Sequence, residues 1–469
     1  MAALDFPHLG LSIGQTYPNP AVSGQPVYTW DGEKWTSGTG FGNIYISDSA
    51  PAAPAGSLWW ESDTGILYVR YYDGSSTQWA AIAGSSTTGS VRYDSAQGLT
   101  SAQQTQGRQN VYAAPFDAMG WSGMQVNGSM DVSQENGTTL ISIPNSNRYV
   151  VDGFAIAMLG TGAIASVGQG PISSLPGYPN CLTFQCTAAN ALAGASDGSY
   201  IYQPIEGYRW ARLGFGTANA QPVTIGFWVF PNIAGTMAVS LRGGGGTSRS
   251  YVVDVPVTAA SWQFKTVTIP GDVAGTWVNN NGIGVIISYC FGAGSGRKAA
   301  LANTWVATDS VATAATTNFF ATTGAIYFTG VIVLPGVEAP SAARSPFIMR
   351  PYDQELTTCM RYLNILNPGI TNWPICNGFA YNTTLFLGLY HYQVPMRATP
   401  TFAINAGANF RIQIAGNIFQ TTGGIIVTNP NPRGLRLDAT IGTASLTIGQ
   451  GCSLCTDNAS GVMSFDSRL

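Results

Sequence analysis

A chain of 469 residues is long enough for about three domains and a substantial core. Only 9% of the residues are charged, against roughly 25% in ordinary soluble domains, and the net charge of -3 leaves no basic footprint for nucleic acid. The longest apolar-leaning stretch, Phe154 to Val167, is broken by Thr161 and glycines and falls short of the ~20 residues a spanning helix needs, which argues against membrane insertion.

The opening word MAALDFPHLG lacks a basic start and a continuous apolar segment, so no signal peptide is expected. A repeat follows. Gly14-Gln-Thr-Tyr17 leads to Val27-Tyr-Thr-Trp-Asp-Gly-Glu-Lys-Trp35, and Gly56-Ser-Leu-Trp59 leads to Leu67-Tyr-Val-Arg-Tyr-Tyr-Asp-Gly and on to Trp79. Each copy predicts two or three short aromatic strands, with Asp31-Gly32 and Asp73-Gly74 supplying the positive φ that a tight hairpin requires. Such small sheets cannot bury a core alone and are expected to stack on each other or on a partner.

Residues 84–90 are Gly, Ser and Thr, the composition of a flexible linker. Leu99 to Asn110 predicts a short helix that Thr100 caps, with Gln103 at the capping-box spacing and almost no apolar face. Strand signals then dominate. Val223, Ile225, Phe227 and Val229 alternate with Thr224, Gly226, Trp228 and Phe230, the period that sends successive side chains to opposite faces of a sheet. The glycines 243–246 break the chain, and Tyr251, Val253, Val255 and Val257 resume the alternation. Runs at 263–269, 284–291 and 325–334 continue it, which indicates a β-sandwich or barrel.

Pro346 to Leu363 switches to a helical period, with Leu356, Met360 and Leu363 expected on one face of a connecting helix. The remainder is β again, with strands expected at 384–394, 400–404, 410–414, 423–428, 435–441 and 445–448. Asn372, Trp373, Tyr381, Tyr390, His391 and Tyr392 cluster there, and sugar rings stack on aromatic faces with polar edges, so these six are the candidate glycan or receptor site. The same residues also fit a strand that lines its core by alternation.

Residue chemistry narrows the possibilities. His8 and His391 are the only histidines, too few for a multi-histidine metal site, and no cofactor is expected. Glu206, Asp254, Asp272 and Glu338 are the acidic candidates of the sandwich, yet their spacing shows no pairing of the kind a glycosidase uses, and caps or arginine partners account for them; no enzyme is expected. Seven scattered cysteines fit free, mostly buried thiols. Cys181 and Cys186 are close enough in sequence to pair across a turn, and Cys452-Ser-Leu-Cys455 is a lone CxxC with no second pair. Lys34, Lys265 and Lys298 are the only lysines; arginine supplies the remaining cations, which suits fixed, partly buried pairs.

The words PIEGYRWARLGFGTANAQPVTIGFWV, FKTVTIPGDVAGTW, FTGVIVLPGVEAPSAARSPFIMRPYDQEL and CMRYL, in that order, resemble a family of bacteriophage and prophage tail-fibre or minor virion structural proteins. The second repeat, SDSAPAAPAGSLWWESDTGILYVRYYDGSSTQW, resembles modules near the N-termini of phage fibres, and VRYDSAQGLTSAQQTQGRQN resembles a short helix of such proteins. The resemblance implies a mainly β chain: N-terminal tandem β-hairpin modules over 1–83, a linker and short helix over 84–119, a jelly-roll β-sandwich similar to carbohydrate-binding modules over 120–345, and a connecting helix with a C-terminal β domain over 346–469. It implies a homotrimeric tail fibre assembled in the host cytoplasm, joined to other virion proteins through Trp30, Trp35, Trp59, Trp60, Tyr68 and Trp79, and attaching to a host-surface glycan or protein. Two alternatives stand beside it, an architectural head or collar fibre without a receptor, and a capsular polysaccharide depolymerase.

Overall fold

The computed structural model describes residues 6–20, 27–37, 44–82, 98–111, 113 and 123–469; the linker expected at 84–90 and the start of the sandwich expected at 120 lie outside them. The chain divides into two units, Met1–Gly98 and Leu99–Leu469.

The first unit contains both copies of the repeat. Strands β1 (Thr16–Tyr17), β2 (Tyr28–Trp30) and β3 (Trp35–Ser37) make one antiparallel sheet. Strands β4 (Ile44–Ser47), β5 (Leu58–Glu61), β6 (Ile66–Tyr72) and β7 (Thr77–Ala81) make the other, with β4 parallel to β5. The Asp-Gly turns form as their chemistry demands. Oδ1 of Asp31 accepts from the amides of Glu33 and Lys34 at 2.9 and 2.8 Å, Oδ1 of Asp73 from those of Ser75 and Ser76 at 2.8 and 2.7 Å, and Gly32 and Gly74 take φ of 114° and 101°. The amide bonds hold both carboxyls below the usual carboxylate range.

The indole N–H of Trp35 donates to Pro7 O at 3.1 Å, and that of Trp79 to Pro51 O at 3.2 Å, each reaching 28 residues back. The copies differ in hairpin length. Gly14 N bonds Trp30 O in the first and Gly56 N bonds Arg70 O in the second, yet Trp30 lies opposite Trp35 beside the turn whereas Arg70 and Trp79 lie two pairs behind Tyr72 and Thr77. Each arm of the second hairpin is therefore two residues longer.

The second unit opens with α1 (Ser101–Asn110), where Gln103 N donates to Thr100 Oγ1 at 3.3 Å and Thr100 N to Gln103 Oε1 at 3.0 Å, the expected reciprocal cap. This polar helix is tied down at Glu338, which pairs with Arg108 and accepts from Thr105 Oγ1 at 3.3 Å. Next come β8 (Ile141–Pro144), β9 (Ser146–Val151), β10 (Phe154–Leu159), β11 (Ile164–Pro171), β12 (Asn180–Ala188), β13 (Gly198–Glu206), the single turn α2 (Gly207–Trp210), β14 (Val223–Phe230), β15 (Gly235–Gly243), β16 (Ser250–Val257), β17 (Gln263–Ile269), β18 (Ile283–Ala293), β19 (Trp305–Val306) and β20 (Gly324–Pro335). They build a seven-stranded sheet ordered β19-β16-β15-β18-β13-β10-β9 and a six-stranded sheet ordered β17-β14-β20-β12-β11-β8, all antiparallel.

The alternating residues of β14 face inward as expected, and Val223, Ile225, Phe227 and Val229 are buried in the core between the sheets. There Phe227 and Phe328 meet Tyr289 of the opposing sheet at ring distances of 5.0 and 4.5 Å. Each such buried side chain contributes ~1.5–3 kcal/mol of apolar transfer free energy. Phe154 to Val167, the longest apolar-leaning stretch, falls in β10 of one sheet and β11 of the other, and among the described residues no helix is long and apolar enough to cross a membrane.

Beyond the sandwich lie α3 (Tyr352–Met360), β21 (Leu363–Leu366), β22 (Pro374–Ala380), β23 (Leu385–His391), β24 (Thr401–Ile404), β25 (Phe410–Ile414), β26 (Asn417–Asn431), β27 (Gly434–Ile441), β28 (Gly451–Thr456) and β29 (Met463–Asp466). Strands β22-β23-β27-β26-β25-β28 close a barrel, and β21-β29-β24 form a small sheet whose Met463 and Phe465 join the barrel core.

Three expectations are corrected. The connecting helix ends at Met360 and Leu363 opens a strand, so Leu356, Met360 and Leu363 do not form one helical face; the side chains turned fully inward are Glu355 and Cys359. Glu355 is buried because Arg350 Nη1 and the amide of Asn127 satisfy it, at 3.1 and 2.8 Å. Residues 445–448 are not a strand but a connection whose Ser445 and Leu446 amides both donate to Thr383 O. Cys181 and Cys186 lie on one continuous strand, which sets them ~16 Å apart at ~3.3 Å per residue, with no turn to bring them together.

Candidate functional site

The sandwich places polar and aromatic side chains on the outer face of its seven-stranded sheet, in the row Tyr149, Ala155, Tyr202, Ser288, Ser240 and Val252. The chain itself covers both ends of this face. At one end Arg242 pairs with Asp309 at 2.7 Å, Ser310 N donates to Ser250 Oγ at 3.2 Å, and Val311 and Ala312 are buried against Ala238, Val252 and Cys290. At the other, the Arg468 guanidinium lies 4.7 Å above the Tyr149 ring, and Tyr149 Oη donates to Leu469 O at 2.6 Å.

The acidic candidates are each engaged. Glu206 is bound by Arg361 through both carboxylate oxygens, Asp272 by Arg249, Glu338 by Arg108, and Asp254 accepts from Thr313 Oγ1 at 2.7 Å.

An open site exists at one end of the barrel. The word Thr-Asn-Pro-Asn-Pro-Arg-Gly, residues 428–434, joins β26 to β27, and proline cannot donate to a ladder, so pairing shifts register between Thr428 and Asn431. Asn429 takes φ of 52°, a conformation asparagine tolerates. Asn431 Oδ1 accepts from Arg433 N at 2.9 Å, while the carbonyls of Arg433 and Pro432 accept from the amides of Tyr392 and Met396 at 3.2 and 2.8 Å. Gly434 lies opposite His391, where a Cβ would come within 2.6 Å of Tyr390 O and so excludes any other residue. The backbone is thus pinned on both sides while the side chains of Asn429, Asn431 and Arg433 project.

Leu389, His391, Asn429, Asn431, Arg433 and Arg436 line the resulting cleft, which has a volume of about 400 Å³. Arg436 is held to Asp438 at 2.7 Å through Nε and 2.8 Å through Nη2, and Thr428 Oγ1 donates to the same carboxylate at 2.7 Å. Burial alone would raise the Asp438 carboxyl, but the bonds from Arg436 and Thr428 outweigh it and hold it below its ordinary value.

The six sequence candidates divide. His391 is exposed and lines the cleft. Asn372 and Trp373 are exposed just before β22, at the end of the β22–β23 hairpin where His391 closes β23. Tyr381 is exposed at the other end, by the turn in which its amide donates to Leu385 O, ~20 Å of strand from His391. Tyr390 and Tyr392 belong to the core. Tyr390 stacks on Phe465 at 5.0 Å and Tyr392 meets the same ring edge-on at 5.2 Å, because the small sheet packs against this part of the barrel. Sequence reasoning missed Leu389, Asn429, Asn431, Arg433 and Arg436. The signal that marks them is a polar Asn-Pro-Asn-Pro-Arg-Gly word between two alternating strands.

Of the six N-terminal aromatics, Trp59 is buried and stacks on Tyr68 at 4.8 Å, Trp30 and Trp35 pack on each other at 5.6 Å, and Trp79 packs between Trp59 and Arg70. Only Trp60, 42% exposed, points away from these clusters, in a row with Ile46 and Leu67 and beside exposed Ile44 and Ile82. On the same face lies the neighbouring row Leu58, Val69 and Ala80, whose equivalent in the first copy is Thr16, Thr29 and Thr36. An aliphatic back face is therefore a property of the second copy and not of the module.

Cys452 and Cys455 occupy β28 three residues apart, on opposite faces of the strand. Among the described residues no three His, Cys, Asp or Glu side chains stand together as a metal site would require.

No protein-family model matches the chain, and no curated protein matches it. Solved structures similar to part of the chain include an arabinose-bound α-L-arabinofuranosidase (12% identity, 52% of this chain and 31% of that one, TM-score 0.26). Others are the enzymatically active domain of bacteriophage CBA120 tailspike protein 4 (11%, 46% and 21%, 0.24) and a family 4 carbohydrate-binding module (15%, 45% and 97%, 0.24). The chain spans about a third and a fifth of the length of the first two.

Proposed function

We propose that this chain is a structural fibre protein of a tailed bacteriophage, a homotrimer that attaches to a host-surface carbohydrate through the cleft at the end of its C-terminal barrel. The observation that carries the binding reading is the cleft itself: an open, rigidly framed concavity in which amide, imidazole and guanidinium groups surround the exposed Leu389, the mixture of hydrogen-bonding edges and apolar surface that a sugar ring requires. The tail-fibre reading rests on the tail-fibre-like words of the sequence, with the N-terminal modules joining other virion proteins. Weak contacts per copy, multiplied over the copies of a fibre, supply the avidity that attachment needs.

Two measurements test this reading. Cryo-electron microscopy of the intact particle is expected to place threefold copies on the tail with the barrel outermost; copies on the capsid or inside the neck overturn the fibre assignment in favour of an architectural role. Glycan-array binding of the purified protein is expected to be saturable and to fall at least tenfold in a His391→Ala, Asn431→Ala double variant. Binding that survives both substitutions moves the site elsewhere.

A further inference from the structure

The cleft at the barrel end carries an unspent charge. The sequence has 17 arginines, counted as 20 basic residues less three lysines, in a chain whose charged fraction is only 9%. Among the described residues these arginines are engaged with one exception. Arg108, Arg148, Arg242, Arg249, Arg350, Arg361, Arg411, Arg436 and Arg468 are in ion pairs. Arg209 and Arg397 are hydrogen-bonded, Arg70 and Arg297 lie against rings, and Arg212 and Arg344 have partners as well. The exception is Arg433, whose guanidinium is exposed and has neither a carboxylate nor a carbonyl on it, although its own backbone is fixed by Asn431 and Tyr392.

Nothing in the lining cancels that charge. No Asp or Glu lines the cleft, and the nearby carboxylate of Asp438 is taken up by Arg436 and Thr428. The cleft therefore presents one whole positive charge on a planar fork with five donors, beside the amides of Asn429 and Asn431 and the imidazole of His391. A neutral sugar offers hydroxyls that amides, imidazole and guanidinium can all bond, but no negative charge to set against the guanidinium. A carboxylate or phosphate matches it through two parallel N–H···O bonds.

We propose that the ligand of this cleft is an anionic saccharide, its negative group bound by Arg433 and its ring hydroxyls by Asn429, Asn431 and His391. The inference rests on the carbohydrate-binding reading above and narrows it to a chemical class. Arg433 selects the sugar by charge, and the fixed pair Arg436–Asp438 forms a neutral wall beside it.

The test is a binding titration of the full chain against three probes: an oligosaccharide containing glucuronate, a phosphorylated oligosaccharide and a neutral oligosaccharide of the same length. The expected result is that one of the two anionic probes binds at least tenfold more tightly than the neutral one, and which of them does so separates carboxylate from phosphate as the group recognised. That preference should weaken as salt is raised from 0.05 to 0.5 M, as a charge-dominated contact does. Arg433→Gln should abolish it and Arg433→Lys should retain part of it, with thermal unfolding unchanged in both because the side chain supports no other group.

Equal affinity for neutral and anionic probes that is lost in the His391→Ala, Asn431→Ala variant overturns this inference while leaving carbohydrate binding at the cleft intact. Anionic preference that survives Arg433→Gln also overturns it. Binding of none of the probes, nor of any array glycan, overturns the carbohydrate-binding reading and this inference with it.

Discussion

Tyr362 Oη donates to Oε2 of Glu206 at 2.8 Å, on the same oxygen that Arg361 Nε reaches at 2.9 Å, while Arg361 Nη2 takes Oε1 at 2.6 Å. Glu206 is the last residue of β13 and is buried; its partners follow α3, so this carboxylate fastens the sandwich to the segment that leads into the barrel.

Replacing Glu206 with Gln turns one oxygen into a donor that faces two donors. Removing one partner of a buried pair costs roughly 3–5 kcal/mol, and because the Arg361 side chain is 30% exposed, the expected loss is toward ~2–3 kcal/mol. Tyr362→Phe, which removes the bond to this carboxylate and the one that Tyr362 Oη accepts from Arg209 Nε at 3.2 Å, should cost about 1.5–3 kcal/mol. Urea denaturation of the three proteins measures both, and equal midpoints for wild type and Glu206→Gln would show that the carboxylate is not a fastener.

Asp152 predicts a pH signature. Burial pushes its carboxyl up to about 6, even though Gln134 N and Nε2 donate to it at 2.8 and 2.5 Å. Its folded value lies above the unfolded value of about 3.8, so between those two pH values the native state holds a proton that the unfolded chain has released. This contribution to stability is fully present below pH ~4 and is lost as pH rises through ~6, an effect on the order of 3 kcal/mol. The difference in stability between wild type and Asp152→Asn should therefore change across pH 4–6.5 and be flat above it. A difference that is constant across that window refutes the assignment.

The helix α1 has a reciprocal cap and little apolar surface, so its first turn depends on Thr100. Thr100→Ala should destabilise that turn by ~1 kcal/mol, seen as roughly fivefold faster hydrogen exchange at the amides of Gln103 and Gln104 with the sandwich amides unchanged. Exchange at wild-type rates would mean that the contacts to Glu338 hold the helix without its cap.

Gly378 and Gly388 face each other across β22 and β23, and a Cβ on Gly378 would lie 2.0 Å from Leu387 O. The obstacle is backbone, which cannot rotate away. Gly378→Ala should cost ~2–3 kcal/mol by forcing the two strands apart, whereas Gly449→Ala, with open space around it, should cost less through its positive φ alone. Thermal denaturation of the two variants checks the order, and the reverse order would remove the claim that the barrel closes through this glycine pair.

Much of the architecture was legible before any coordinates, for a physical reason. Where one face of a strand is buried, the period of two is imposed by the core, and β14, β17 and β25 have the bounds that their alternation or apolar run predicts. The α1 cap was equally readable because it is local chemistry between Thr100 and Gln103.

What was not legible depended on distant partners. Strand β22 carries Gly, Asn and Cys where alternation would mark a strand, and β28 buries Cys452 and Cys455 on opposite faces, so neither shows a clean period of two. The inward turn of Glu355 needs Arg350 and the Asn127 amide, more than two hundred residues away in the latter case. For the candidate site, aromatic composition pointed to the hairpin that carries His391, the one of the six candidates that lines the cleft; Tyr390 and Tyr392 go inward against Phe465, while the side chains left free are the polar ones of the turn next door.

The two N-terminal hairpins differ by two residues on each arm while keeping the same tryptophan-to-proline bond and the same Asp-Gly turn. Two is the one small increment that changes length without exchanging inside for outside, since strand parity repeats every second residue. The module can therefore be lengthened in steps of ~7 Å per pair of residues, whereas a single inserted residue would turn its tryptophans out into water. A designer who wished to use it as an adjustable spacer would count in even numbers.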